Sequence, residues 1–359
     1  MPHSRGSKTE MPRSYFGVPY TPREALEWLW CYLNPSTRGR KGLQPAPRLR
    51  HISSRDTHRV IFFGDLMPPP RGRPPVVGEH VRSLLSGADL VVGNLETPIG
   101  RDHVAVHRFQ ISRQTLLRSL EQLGIAPNRA VLSVANNHLG DLGPEGARGT
   151  IDSLREMGIR TVGERSPEGA PVSYIEINGM LIGLLAWTQR MNHPIQSTQA
   201  GAVSQPQALA WLRSQREARA DLTIAYPHWG YEFRHFPQTS ERKLAGQLAD
   251  LGVDLIVGHH PHVVQPAEML GECLCVYSLG GLVQSLAAAR RWPVRLGCLL
   301  VIDIPSSVRR GSRPKFSYEI IPVVHEHARH ANRVSLLDHA PAQDRDRMQR
   351  RFDLLFPTV

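Results

Sequence analysis

From residue 59 onward, short apolar runs alternate with longer segments in which apolar positions recur every three or four residues. The runs are Val60–Phe63, Leu90–Val92, Val131–Val134, Leu222–Ala225 and Leu255–Val257. Runs that are apolar almost throughout are the pattern of strands buried on both faces. Between them, residues 78–86, 112–123, 144–157, 205–219 and 239–251 carry the helical period.

Residues 172–187 break this rhythm. Val172–Ile177 and Met180–Ala186 flank Asn178-Gly179, which predicts a β-hairpin with a two-residue turn. Further strands are predicted at 274–279, 298–304 and 316–324, with no long helix between them. Crossover units combined with an antiparallel portion predict an α/β fold of two packed mixed sheets flanked by helices. No internal repeat is visible.

Three regions are expected. Residues 1–57 form a basic Pro/Arg-rich extension with one helix at 22–33, in which Pro22 suits a first helical turn. Its apolar-aromatic face (Leu26, Trp28, Leu29, Trp30, Leu33) is expected to dock on the body of the domain, or else on a partner protein or membrane surface. Residues 58–328 form the main domain. Residues 329–359 read as a basic helical appendage.

At 359 residues and 41% apolar, the chain has ample material for a buried core. No window resembles a transmembrane span and the first thirty residues lack an apolar signal region, so a cytoplasmic, at most membrane-peripheral, location is expected. The formal charge of +11 is carried almost wholly by arginine, with Lys only at 8, 41, 243 and 315. That charge is dispersed and biased toward the ends, without interleaved aromatics, which argues against a nucleic-acid groove. Cys31, Cys273, Cys275 and Cys298 do not form paired C-x2-C motifs and read as buried free thiols.

Candidate chemistry gathers where the strands end. Five such ends carry Gly64-Asp65, Gly93-Asn94-Leu95-Glu96, Ala135-Asn136-Asn137-His138, Pro227-His228-Trp229-Gly230-Tyr231-Glu232 and Gly258-His259-His260-Pro261-His262. In open α/β sheets, ligands bind beyond the carboxyl ends of the strands. Gly-Asp alone reads as a turn and Asn-Asn as backbone-satisfying loop chemistry. Three histidines within four positions are harder to explain without a ligand that gathers them. Carboxylates, an amide and imidazoles together form a mixed N/O donor set suited to Zn, Mn or Fe.

Together with Asp141, Gly143 and Tyr277-Ser-Leu-Gly280, these motifs resemble the CapA-type poly-γ-glutamate capsule-biosynthesis proteins of the calcineurin-like metallophosphoesterase superfamily, across roughly 59–285. The resemblance implies a four-layer α/β/β/α sandwich and one or two divalent metal ions. It further implies metal-ligand roles for Asp65, Glu96, Asn137, His228, His260 and His262, with His259 able to substitute in the register. His138 would be the acid near the scissile bond, oriented by Asp141; Asn94 and Glu232 would be supporting groups or alternative ligands. The implied reaction is two-metal hydrolysis of a phosphoester or related anionic polymer. The rival reading is a non-catalytic metal-binding accessory of a polymer-synthesis complex, docked through the 22–33 helix. Two departures stand out: Met67 replaces the superfamily's Asp-x-His histidine, and Gly281-Leu282 replaces Asn-Phe after Gly280.

Overall fold

Each long apolar run becomes a strand, and each helical-period segment gives a helix, with 215–219 of the segment 205–219 lying outside the described residues. The computed structural model describes residues 22–34, 40–54, 56–105, 108–165, 170–196, 201–214, 220–285, 291–307, 315–327, 332–340 and 342–358. The first sheet is built on three parallel strands, β1 (Thr57–Leu66), β2 (Leu90–Leu95) and β3 (Ala130–Ser133). On the far side of β1 it continues antiparallel through Leu296–Pro305, Ser317–His327 and Asn332–Leu336. The second sheet opens with the predicted hairpin, β4 (Val172–Ile177) and β5 (Met180–Thr188), with Asn178 at positive φ (47°) in its turn. It then runs parallel through β6 (Leu222–His228) and β7 (Leu255–Val257) to Cys273–Leu279, and ends on an antiparallel edge strand, Val264–Leu270.

Side-chain alternation divides the core between layers. Leu184, Ala186, Ile224, Tyr226, Leu255, Val257, Leu274 and Val276 share one apolar cluster with residues of the first sheet. Their neighbours Leu185, Trp187, Ala225, Ile256, Cys273, Cys275 and Tyr277 face a second cluster, shared with Ala208, Leu212, Leu244 and Leu248 of helices Gln205–Ser214 and Thr239–Asp250. Period-2 strands with both faces apolar require cover on both sides. Helices Glu79–Ser86, Arg113–Leu123 and Gly143–Glu156 cover the first sheet with Val81, Leu85, Leu116, Leu120, Ile151 and Leu154. The result is the four-layer α/β/β/α sandwich. The Tyr226 hydroxyl donates to the Phe63 carbonyl, pinning β6 to β1 beneath the strand ends. All four cysteines are buried free thiols.

Three observations differ from the sequence reading or extend it. The strand Val264–Leu270 contains Pro266, and its register with Cys273–Leu279 skips that residue; proline is tolerated because this is a sheet edge. Beyond residue 329, Asn332–Leu336 is a strand, and the following helix Ala342–Leu355 buries Met348, Phe352 and Leu355. Of the face expected to dock, only Trp28 of the N-terminal helix Pro22–Leu33 does so. Cys31, Trp28 and Tyr32 pack on Phe233, Val263 and Val294, while Leu26, Leu29, Trp30 and Leu33 are exposed. Aromatic contact and a polar anchor on Trp28, rather than the leucine stripe, fix its orientation. Residues 1–21 and 35–39 of the expected extension lie outside the described residues. No helix among the described residues is long and apolar enough to cross a membrane.

Candidate metal centre

The carboxyl ends of β1, β2 and β3 in one sheet meet those of β6 and β7 in the other. Asp65 stands near the end of β1, Glu96 directly after β2, Asn137 in the loop after β3, His228 at the end of β6, and His259, His260 and His262 in the turn after β7. All of them are at least nine-tenths buried. A bridge between His228 and His259 draws the ends of β6 and β7 together. His260 and His262 both have positive φ (101° and 57°), so the turn spends backbone strain to aim its imidazoles.

Three asparagines brace the donors. Asn94 Nδ2 donates to Asp65 Oδ1 at 2.9 Å and lies 3.4 Å from His228 Nδ1. Asn136 Nδ2 donates to Asn94 Oδ1 at 3.1 Å and to the Leu95 carbonyl at 2.7 Å, while its Oδ1 accepts the His138 N–H at 3.0 Å. Asn137 Oδ1 is 2.9 Å from His228 Nε2, and the Asn137 carbonyl accepts the Asn192 N–H. His228 Nε2 and His262 Nε2 stand 3.7 and 3.6 Å from Glu96 Oε1, and His262 Nδ1 stands 3.2 Å from Asp65 Oδ2.

Several buried atoms in this space have no hydrogen-bond partner among the described residues: both oxygens of Glu96, His259 Nε2 and His260 Nδ1. Buried polar atoms are normally satisfied, so a cluster of exceptions calls for an explanation. His259 Nδ1 lies 2.7 Å from the Pro227 carbonyl. A carbonyl only accepts, so the proton sits on Nδ1 and the unpartnered Nε2 presents a lone pair. This is the arrangement that orients metal-ligating histidines. Four overlapping trios have donor atoms within 4.8 Å of one another: Asp65–His228–His259, Glu96–His228–His260, Asp65–Glu96–His262 and Glu232–His260–His262. A divalent cation fits this donor set.

Electrostatics follow from crowding without solvent. Burial, then the charges of Asp65 and Glu232, push the Glu96 carboxyl well above its ordinary range. Burial also opposes ionisation of Asp65, but the His262 contact, the charges of His259 and His262, and the Asn94 amide outweigh it and hold that carboxyl at about 2. Burial first, and neighbouring imidazoles second, push His228 and His260 well below the ordinary imidazole range. Burial takes His259 to about 4. His262 goes the other way: burial lowers it, and the Asp65 carboxylate more than compensates.

Beside the cluster, His138 Nδ1 sits 2.8 Å from Asp141 Oδ2, an oxygen that also accepts the Phe109 N–H at 2.9 Å. Phe109 packs on the His138 ring with centroids 4.3 Å apart. The structure therefore brings together every candidate donor of the sequence reading, with Glu232 joining through His260 and His262. Met67 is buried, and its N–H donates to the Val283 carbonyl; Leu282 lies in the core. Sequence reasoning missed Asn136 as the brace behind Asn94, Phe109 as the wall behind His138, and Trp28, whose indole N–H donates to Glu232 Oε2 at 2.6 Å. Asn136 was visible in its motif; nothing in the sequence places Phe109 or Trp28 here.

Fold and cluster together define a two-sheet α/β protein with a candidate divalent-metal centre at its converging strand ends. Its lineage is narrower: the chain belongs to the bacterial capsule synthesis protein PGA_cap family, whose model matches residues 59–285. It is 30% identical over 257 residues to the PGA biosynthesis protein CapA of Bacillus subtilis, covering 67% of each chain. It is also 30% identical over 222 residues to the capsule biosynthesis protein CapA of Bacillus anthracis, covering 58% of this chain and 53% of that one. A probable polyglutamine synthesis accessory protein of Mycobacterium tuberculosis is 25% identical over 264 residues, or 66% of this chain and 68% of that one. The match thus spans about two thirds of the first relative and about half of the second.

Proposed function

We propose that the protein is a metal-dependent hydrolase of the CapA type, acting on a phosphoester or a related anionic polymer in capsule-type biosynthesis. The observation that carries this reading is Glu96, a fully buried carboxylate of the first sheet whose two oxygens lack partners among the described residues and face His228 and His262 of the second sheet. Asp65, Glu96, Asn137, His228, His260 and His262 would hold the cation or cations, with His259 Nε2 as a further donor. A bound Mn, Zn or Fe ion supplies Lewis acidity and neutralises charge on an anionic ester. The chain's own residues do the rest. Asn94 and Asn136 hold the donors in place, and Asp141 fixes the His138 ring through Nδ1, leaving Nε2 to carry a proton to the leaving oxygen. Burial of the cluster excludes bulk water from the donors.

A second reading, a non-catalytic accessory subunit of a polymer-synthesis complex, is favoured by the exposed stripe of Leu26, Leu29, Trp30 and Leu33 on the N-terminal helix. The His138→Ala variant separates the two. Under the hydrolase reading it loses turnover of a generic phosphodiester by about 10²–10⁴-fold while its metal content stays at the wild-type level. Full complementation of a deletion strain by the same variant would instead establish the accessory role.

A further inference from the structure

Trp28 and Glu232 are 204 residues apart in sequence, yet the indole N–H of Trp28 donates directly to Glu232 Oε2 at 2.6 Å. The contact is built on more than one bond. The Trp28 ring stands edge-on to Phe233 with centroids 5.1 Å apart, and Tyr32 stacks on Trp28 while tilting onto Phe233 at 4.9 Å. Phe233 has positive φ (61°), and its N–H donates to the Pro261 carbonyl, in the middle of the histidine turn. Its ring centroid lies 6.1 Å from that of His262. The Glu27 carboxylate pairs with Arg234 at 2.8 Å, so the helix grips residues on both sides of Phe233.

Glu232 matters because of what it faces. One of its carboxylate oxygens lies within 4.8 Å of ring nitrogens of His260 and His262. His262 also belongs to the Asp65–Glu96–His262 trio, so Glu232 adds a carboxylate to a centre in which position 67 offers a methionine. A glutamate side chain loses considerable rotamer freedom when ordered. An indole donor that fixes one oxygen reduces that cost and leaves the remaining lone pairs for a cation.

We propose that Trp28 is a positioning residue of the metal centre, holding Glu232 as a cation donor beside His260 and His262, so that the N-terminal helix is part of the site. The proposal rests on the metal-binding reading above. Its test is calorimetric titration of the full-length protein with Mn²⁺, with bound metal counted by elemental analysis. The comparison covers wild type, Trp28→Phe, Glu232→Gln, the double variant, and Leu29→Ser on the exposed face as control. Glu232→Gln is expected to weaken binding by 10–100-fold, and Trp28→Phe, which keeps the ring but not the N–H, by about 10-fold, as the loss of an outer partner of a metal ligand does. The double variant is expected to be no weaker than Glu232→Gln, because the two residues act through one contact. Leu29→Ser is expected to match wild type. Wild-type affinity in Trp28→Phe, or losses that add in the double variant, would overturn the proposal while leaving the metal centre standing. Should Trp28→Phe fail to fold, wild-type affinity in Glu232→Gln is decisive against it. A wild type that takes up no Mn²⁺ removes the metal-binding reading and this proposal with it.

Discussion

Both oxygens of Glu96 lie fully buried without a donor among the described residues, and leaving a buried polar group unpaired costs about 1–3 kcal/mol, more for a charge. Glu96→Gln removes the ionisable group but keeps the shape. The metal-free variant is therefore expected to melt no lower than wild type at pH 8, while the rise in melting temperature that wild type gains from Mn²⁺ disappears. Paired thermal scans with and without metal check both halves. The same crowding sets the response to pH. Glu96 and His262 are both pushed up, so protons compete with a cation for them to higher pH than they would for an unshifted carboxylate or imidazole. His228 and His260 are pushed down and stay neutral without help. Affinity is therefore expected to rise as pH rises from 6 to 8, with protons released on binding. Calorimetry in two buffers of different ionisation enthalpy measures that release, and a pH-independent affinity would contradict the assignment.

At the scale of elements, the site depends on backbones that approach closely where the strands end. A Cβ at Gly64 would stand 1.8 Å from the Gly280 carbonyl oxygen, and one at Gly258 would stand 2.1 Å from that of Tyr277. Gly258→Ala is expected to destabilise the fold by about 1–3 kcal/mol, as overpacking does, and to weaken metal binding because it displaces the turn carrying His259, His260 and His262. Chemical denaturation together with a metal titration reads both effects. These glycines also explain why the site could be read in the sequence: a glycine followed by polar residues punctuates a strand visibly. The elements that escaped notice lack such marks. Val264–Leu270 is broken by Pro266, which only its edge position permits. Asn332–Leu336 is short, with only Val334 and Leu336 apolar. Of the apolar face of the N-terminal helix only Trp28 docks, because amphipathicity marks an apolar stripe without saying what covers it.

For the whole molecule, the apolar runs read as strands covered on both faces do lie in two sheets with a helical layer outside each. Local pattern was enough for the layers and for the donors that sit at strand ends. It was not enough for contacts made by topology alone, such as Asn192 on Asn137, Phe109 on His138, or Trp28 on Glu232. Neither sheet holds the full set of candidate donors. Asp65, Glu96 and Asn137 come from one sheet, and His228, His259, His260 and His262 from the other. A cation bound here would link the two. The most direct measurement is a crystal structure of the protein grown with Mn²⁺, with anomalous diffraction collected at the manganese edge. A peak is expected among Glu96, His228 and His262, within direct coordination distance of their side chains. An ordered cluster with no anomalous peak at saturating Mn²⁺ would contradict it.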